Sequence, residues 1–173
     1  MNFLVLSDSH RNRKNIDRAV ALNRRADAIL FLGDGIDDLG GESAFMGIPV
    51  FAVRGNCDVF SFSHSQNFPE ELSLSFEGRN ILMMHGHRFG VKISEDRALS
   101  YAYQKGADIL LFGHTHIPTE KYIPCGETVN ETVFERGMYL FNPGSIGQRT
   151  DGEYHFGTLS ISPRGILFGH GKF

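Results

Sequence analysis

Cysteine is scarce: only Cys57 and Cys125 occur in 173 residues. Two cysteines do not make a disulfide framework, and a bridge between them is not expected because cytosolic disulfides are rare. No apolar run approaches the ~20 residues that a membrane-spanning helix needs. Charge of one sign is not in excess, since 17 Lys and Arg face 20 Asp and Glu for a formal charge of −3. No strong affinity for nucleic acid or for an anionic membrane follows from that balance. Met1-Asn2 leads straight into an apolar segment, without the basic region, long apolar stretch and cleavage site of a secretory signal. A cytoplasmic location is the expectation. Repeats, low-complexity segments, linkers and an inserted cap are also missing, so a site on this chain should be open and shallow. What remains is 41% hydrophobic and 21% charged, an ordinary balance for a soluble protein with a core. The length suits one domain over residues 1–173.

Short apolar runs punctuate the first half. Phe3 to Leu6, Ala28 to Leu32 and Val50 to Val53 read as buried strands. Between the first two, Asn15 to Arg25 places Ile16, Ala19, Val20 and Asn23 on one face, an amphipathic helix. This alternation predicts a parallel sheet. Leu72 to Phe76 and Asn80 to Met84, separated by Glu77-Gly78, read as a hairpin. Ser94 to Lys105 is a helical pattern with Ser94 as candidate N-cap and Gly106 at its end. Ile109 to Phe112 is another buried strand. From Ile117 onward, glycine and proline punctuate paired strands, at Pro124-Cys125-Gly126, Asn142-Pro143-Gly144 and Pro163-Arg164-Gly165. The expected fold is α/β: a two-sheet sandwich with helices outside.

The polar residues fall at particular places. Strand after strand runs into a cluster of metal-binding residue types: Asp8-Ser9-His10, Gly33-Asp34, Gly55-Asn56-Cys57-Asp58, His85-Gly86-His87 and Gly113-His114-Thr115-His116. Ligands of open α/β sheets bind beyond the carboxyl ends of strands, so these distant clusters are expected to converge. Mixed carboxylate and imidazole donors favour Mn, Fe, Zn or Ni over the all-oxygen shells of Ca and Mg. Without a cysteine-rich set, a structural zinc site is not expected. Asp8 and His10 are two apart, as are His114 and His116, which on an extended segment aims both side chains to one side. Each piece has a plainer reading: Gly-Asp as a turn, a lone His85 or His87 as a surface or hydrogen-bonded histidine. It is the coincidence of five such clusters, each behind an apolar strand, that points to a metal centre.

These motifs resemble those of the calcineurin-like metallophosphoesterase superfamily: Asp8-x-His10, Gly33-Asp34, Gly55-Asn56-Cys57-Asp58, His85-Gly86 and Gly113-His114-x-His116. The short chain, Gly-Asn-Cys-Asp and Asn142-Pro143-Gly144-Ser145 are similar to the small bacterial and archaeal phosphodiesterase branch, to which the retromer subunit of the same fold is related. The resemblance implies a four-layer α/β/β/α fold and two divalent ions, Mn by first preference. It implies that Asp8, His10 and His116 bind one ion, that Asn56, His85 and His114 bind the other, and that Asp34 bridges them. It also implies a hydroxide between the ions as the nucleophile on phosphorus.

Position 57 departs from the family pattern. Many members have histidine there, acting on the leaving group or the phosphate; a thiol is a weaker hydrogen-bond donor and a poorer general acid. The expectation is a preference for good leaving groups, or an acid supplied from elsewhere, with His87 as a candidate and a supporting or surface role as its alternative. Asp58 is expected to orient position 57 or to cap the following segment. Arg11 and Arg88, beside metal motifs, are candidates to bind phosphate oxygens or to face solvent. Phe60 and Phe62 can stack on a base or anchor a loop. The leading reading is a metal-dependent phosphodiesterase acting on a small-molecule phosphoester. A phosphomonoesterase, a nuclease and a protein-interaction scaffold are the alternatives. The 15 phenylalanines leave a homo-oligomer open.

Overall fold

In β1 (Asn2–Leu6) every residue from Phe3 to Leu6 is buried, and successive side chains enter different cores because strand side chains alternate. Phe3 and Val5 pack with Leu30, Met83, Leu111 and Phe141, whereas Leu4 and Leu6 pack with Ile16, Ala19 and Val20. Such a strand needs a covering layer on each side, which explains its unbroken apolar run. The computed structural model of the chain describes residues 1–40, 44–58 and 68–173. Phe60 and Phe62 lie outside the described residues.

After β1 come α1 (Arg13–Leu22), β2 (Ala28–Phe31), β3 (Ala44–Phe45) and β4 (Ile48–Ala52). The hairpin β5 (Glu71–Phe76) and β6 (Arg79–Met84) is followed by α2 (Asp96–Gln104) and β7 (Ile109–Phe112). The remainder is β8 (Thr119–Ile123), β9 (Thr128–Val129), β10 (Thr132–Val133), β11 (Met138–Asn142), β12 (His155–Ser162) and β13 (Gly165–Lys172). One sheet has the order β13-β12-β1-β2-β4-β3, the other β5-β6-β7-β11-β8, and β9 and β10 form a separate ribbon. In the first sheet β1, β2 and β4 run parallel. In the second, β6, β7 and β11 do.

The inner core lies between the sheets. A second cluster joins the first sheet to α1. A third joins the second sheet to α2 through Leu82, Leu110 and Phe112 against Ala98, Leu99 and Ala102. The result is the expected two-sheet sandwich with helices outside.

Two helix boundaries differ from expectation. α1 starts at Arg13 and ends at Leu22, so Asn23 is not on the buried face; it is the C-cap, and its side-chain amide donates to the Ala19 carbonyl at 2.8 Å. α2 starts at Asp96 with Glu95 in the cap position. Ser94 instead accepts the Asp96 amide at 3.1 Å, a local turn that takes the place of a cap. Gly106 ends this segment with φ of 81°, as its place predicts.

Leu111 is fully buried between the sheets. Leu111→Ala is expected to lower stability by about 2–5 kcal/mol, read from the urea midpoint at constant slope.

Candidate metal centre

Parallel strands of both sheets end at one edge of the sandwich, and the clusters follow them. Asp8 and His10 come after β1, Asp34 after β2, Asn56 and Cys57 after β4, His85 and His87 after β6, and His114 and His116 after β7. Backbone hydrogen bonds tie these turns together. The Asp8 amide donates to the Gly33 carbonyl at 2.9 Å, the His10 amide to Asp34 at 3.1 Å and the Gly113 amide to His85 at 3.2 Å.

The turns are not extended, as the i, i+2 reading assumed. Asp8, His10, Asp34, His114 and His116 all have positive φ, between 45° and 67°. Residues with a Cβ adopt this left-handed region uncommonly, at a cost of about 1–2 kcal/mol each. The side chains therefore converge because the backbone reverses, not because alternate residues share a face. Strain of this kind collects at functional sites.

The structure brings the donors into overlapping groups. Asp8, His10 and His116 each offer a ligand atom within 4.8 Å of the others; so do Asp34, His85 and His114, and so do His10, Asp34 and Cys57. The first two groups each straddle the sandwich: Asp8 and His10 follow the first sheet and His116 the second, while Asp34 follows the first and His85 and His114 the second. His10 Nε2 lies 3.2 Å from His116 Nε2, and His114 Nδ1 lies 3.2 Å from His85 Nε2. His85 Nδ1 is 2.8 Å from the Leu32 carbonyl. A carbonyl only accepts, so Nδ1 carries the proton and Nε2 is left with a lone pair toward the cluster, the usual arrangement of a ligating histidine.

Asp8 tests the fit to a cation most directly. Its Oδ2 accepts the Ser7 hydroxyl at 2.5 Å and the His114 amide at 3.0 Å. Its Oδ1 is buried with no hydrogen-bond partner, yet it lies 3.2 Å from His116 Nε2 and 3.7 Å from His10 Nε2. A buried, unpaired carboxylate oxygen among imidazole nitrogens is what a divalent cation would satisfy.

The carboxylates and imidazoles of the cluster shift one another's protonation. Burial raises the Asp34 pKa, but the His85 ring and the Cys57 amide outweigh it and hold the carboxyl well below its usual range. Burial opposes charge on His85, yet Asp34 and Asp8 raise its pKa on balance. Burial, with repulsion from His85 and Lys92, pushes His114 down to about 4. A neutral His114 is ready to ligate.

Asp58 is hydrogen-bonded to the backbone of both neighbouring turns, and the segment that follows it lies outside the described residues. Its Oδ2 accepts the amides of Asp34 and Gly55, both at 2.7 Å, and its Oδ1 accepts those of Gly35 at 2.8 Å and Ile36 at 3.0 Å. It clamps the turn after β2 to the turn after β4. The two turns also meet closely at glycine. A Cβ on Gly55 would collide with Asp34 Oδ1, and one on Gly33 would lie 2.9 Å from the Gly55 Cα.

Three further residues support the cluster and were not picked out as site residues from the sequence. Ser7 holds Asp8 as described. Asn142, fully buried, donates to the Gly113 carbonyl at 2.9 Å and to the Thr115 hydroxyl at 3.1 Å. Ser145 donates to the Asp8 carbonyl at 2.9 Å. The only signal for the last two was the Asn-Pro-Gly-Ser run itself.

The remaining candidates sit at the edge. Asn56 is exposed, and its amide lies 3.3 Å from Cys57 Sγ. The exposed Cys57 donates its backbone amide to Asp34 Oδ1 at 2.7 Å. Burial, then Asp34 and the charges of Asp58 and Asp8, push its thiol up to about 11. The His87 ring centre is 5.5 Å from that of His85 and 6.1 Å from that of His114. Its Nδ1 is buried without a partner, and burial and His85 lower its pKa. Arg11 is exposed, with its backbone amide on Asp38 at 2.9 Å. Arg88 is exposed, in keeping with its solvent-facing alternative, and its guanidinium pairs with Glu70, whose other oxygen takes Arg54 at 3.1 Å.

Residues 1–164 match the family model described as the calcineurin-like phosphoesterase superfamily domain. The chain belongs to this superfamily. Its relatives include the probable metallophosphoesterase YsnB of Bacillus subtilis (strain 168), 32% identical over 147 residues, which are 84% of this chain and 75% of the relative. An archaeal phosphodiesterase superposes with a TM-score of 0.67 at 18% identity over 100% of both chains. Wild-type Vps29 of Entamoeba histolytica, complexed with Zn²⁺, does so with a TM-score of 0.64 at 22% identity over 99% of each chain. These two structures show a shared fold. Membership supports a phosphoester hydrolase, in a family that uses divalent metals. No helix among its described residues is long and apolar enough to cross a membrane.

Asp58→Asn would turn an amide NH₂ toward backbone donors. It is expected to weaken divalent-ion binding by about 10–100-fold, measured by titration calorimetry. His116 has φ of 63°. In chelator, His116→Gly is therefore expected to be more stable than His116→Ala by about 1–2 kcal/mol, because glycine accepts that region freely. Urea unfolding of the two variants measures the difference.

Proposed function

We propose that this chain is a divalent-metal-dependent phosphodiesterase. The observation that carries the reading is the pair of donor groups, Asp8-His10-His116 and Asp34-His85-His114, set side by side with a buried, unpaired Asp8 oxygen between imidazoles. By the family resemblance Asn56, exposed and beside Cys57, would add a donor to the second group. Divalent ions there supply Lewis acidity and a water of lowered pKa, with Mn as the first choice and Fe, Zn or Ni as alternatives for the mixed nitrogen and oxygen donors.

The residues of the chain do the positioning. Ser7 and the His114 amide hold one oxygen of Asp8 and leave the other free. The Leu32 carbonyl fixes the tautomer of His85. Asp58 holds the Asp34 turn. Without a cation, burial and the neighbouring carboxylates push the Cys57 thiol up to about 11. A thiol is a weak hydrogen-bond donor to a leaving oxygen. His87 is the second proton carrier within reach of the cluster.

Charge favours a diester over a monoester. A monoester dianion calls for extra cationic donors, and the exposed Arg88 is paired with Glu70. A diester carries one negative charge and needs less. The phosphodiesterase activity of the archaeal structural neighbour is in keeping with this choice.

With Mn²⁺-reloaded protein, initial rates on matched p-nitrophenyl diester and monoester substrates are expected to favour the diester. Asp34→Asn should reduce the rate by at least about 100-fold. A faster monoester would make the chain a phosphatase, and no hydrolysis across several metals would favour a scaffold. Cys57→His is expected to raise hydrolysis of esters with poor leaving groups by up to about 100-fold, with little effect on p-nitrophenyl esters. Equal effects on both would remove the leaving-group role of position 57.

A further inference from the structure

Beside the metal-ligand cluster, on the β6 side, lies a groove of about 420 Å³ lined by Glu70, Glu71, Met84, His87, Arg88, Phe89 and Tyr101, with Gly86 in its floor. This volume falls within the range of small-molecule sites, roughly 300–1,000 Å³. Its position is set by covalent continuity: Met84, Gly86 and His87 bracket His85, and the His87 ring stands between groove and cluster, 5.5 Å from His85.

The lining has a definite chemistry. Phe89 and Tyr101, both half-buried, form a tilted ring pair with centres 4.8 Å apart, and the buried Met84 packs in the core beneath. The charges along the rim are already paired. Glu70 is held by Arg54 and Arg88. Glu71 accepts the Tyr101 hydroxyl at 3.0 Å and has Lys105 at 3.7 Å. A groove whose acids and bases neutralise one another makes little electrostatic demand on its occupant. Its two aromatic rings suit a flat apolar face. One polar atom stays free at the throat, the buried Nδ1 of His87.

We infer that this groove is the seat of an aromatic ester arm, an aryl or nucleoside substituent whose phosphate lies on the metal-ligand cluster. The inference rests on the phosphoesterase reading and extends it to a substrate class. Without such a seat, an open metal centre would treat small and aromatic esters alike. With it, an aromatic arm gains contact with Phe89 and Tyr101 that a methyl arm lacks.

The test compares two ligands with the same phosphate head, phenyl phosphate and methyl phosphate, by titration calorimetry against Mn²⁺-loaded protein. Phenyl phosphate is expected to bind about tenfold more tightly, the scale of one well-placed aromatic contact. Phe89→Ala should bring phenyl phosphate to the methyl level and leave methyl phosphate and Mn²⁺ binding unchanged. Phe89→Leu, which keeps the apolar bulk, serves if the alanine variant does not fold, and should also lose the preference. Tyr101→Phe, which keeps the ring and loses the hydroxyl, should retain it. Equal affinity for the two ligands in the wild type, no binding of either, or a parallel loss of both in the Phe89 variants would overturn the inference. Diester hydrolysis is assayed separately. Its absence beside an intact preference for the phenyl arm would remove the phosphodiesterase reading and leave the groove standing.

Discussion

Burying the Asp8 carboxylate with one oxygen unpaired carries a desolvation penalty of several kcal/mol, and the surrounding turns are arranged around that penalty. One oxygen is answered by Ser7 and by the amide of His114. The other is left facing two imidazoles. The Asp8 carbonyl, in turn, takes the Ser145 hydroxyl and the Gly147 amide. Thus a single residue is tied to the ends of β7 and β11 while it sits at the end of β1. Moving it would disturb three turns at once.

Much of the architecture was legible because the physics behind it is local. Apolar runs of four or five residues mark strands covered on both faces, and Phe3 to Leu6 and Ile109 to Phe112 are such strands. The candidate ligands were legible because each follows one of these runs. The geometry that gathers them was not. Nothing in Asp8-Ser9-His10 reports a positive φ, since the left-handed turn is imposed by bonds to Gly33 and Asp34, some 25 residues away. Asp58 shows the same limit: two carboxylate oxygens on four amides is a fact of the tertiary structure. Arg88 lay beside a metal motif, but only the folded chain shows Glu70 next to it. The cap of α2 slipped by one residue because Ser94 had a closer partner in its own turn.

The centre also divides its labour by depth. Asp8 and His85 are buried almost completely, and their hydrogen bonds fix both orientation and tautomer. Asn56, Cys57 and Arg11 are exposed and more weakly constrained. Substitutions at the deep positions touch the arrangement of the whole edge, whereas those at the rim act on whatever occupies it. Position 57, where the chain departs from the family pattern, is exposed yet touches the cluster, since its amide donates to Asp34 and its sulfur lies near His10 and Asp34.

Each of the two main donor groups draws on both sheets. A cation held by Asp8 and His116, or by Asp34 and His85, therefore acts as a rivet through the edge of the sandwich. Ion binding and sheet association are then one equilibrium seen from two sides, so free-ion concentration sets the melting temperature as well as occupancy. Any loosening of the inner core near this edge would be felt first as a weaker grip on the ion, before the sheets themselves come apart.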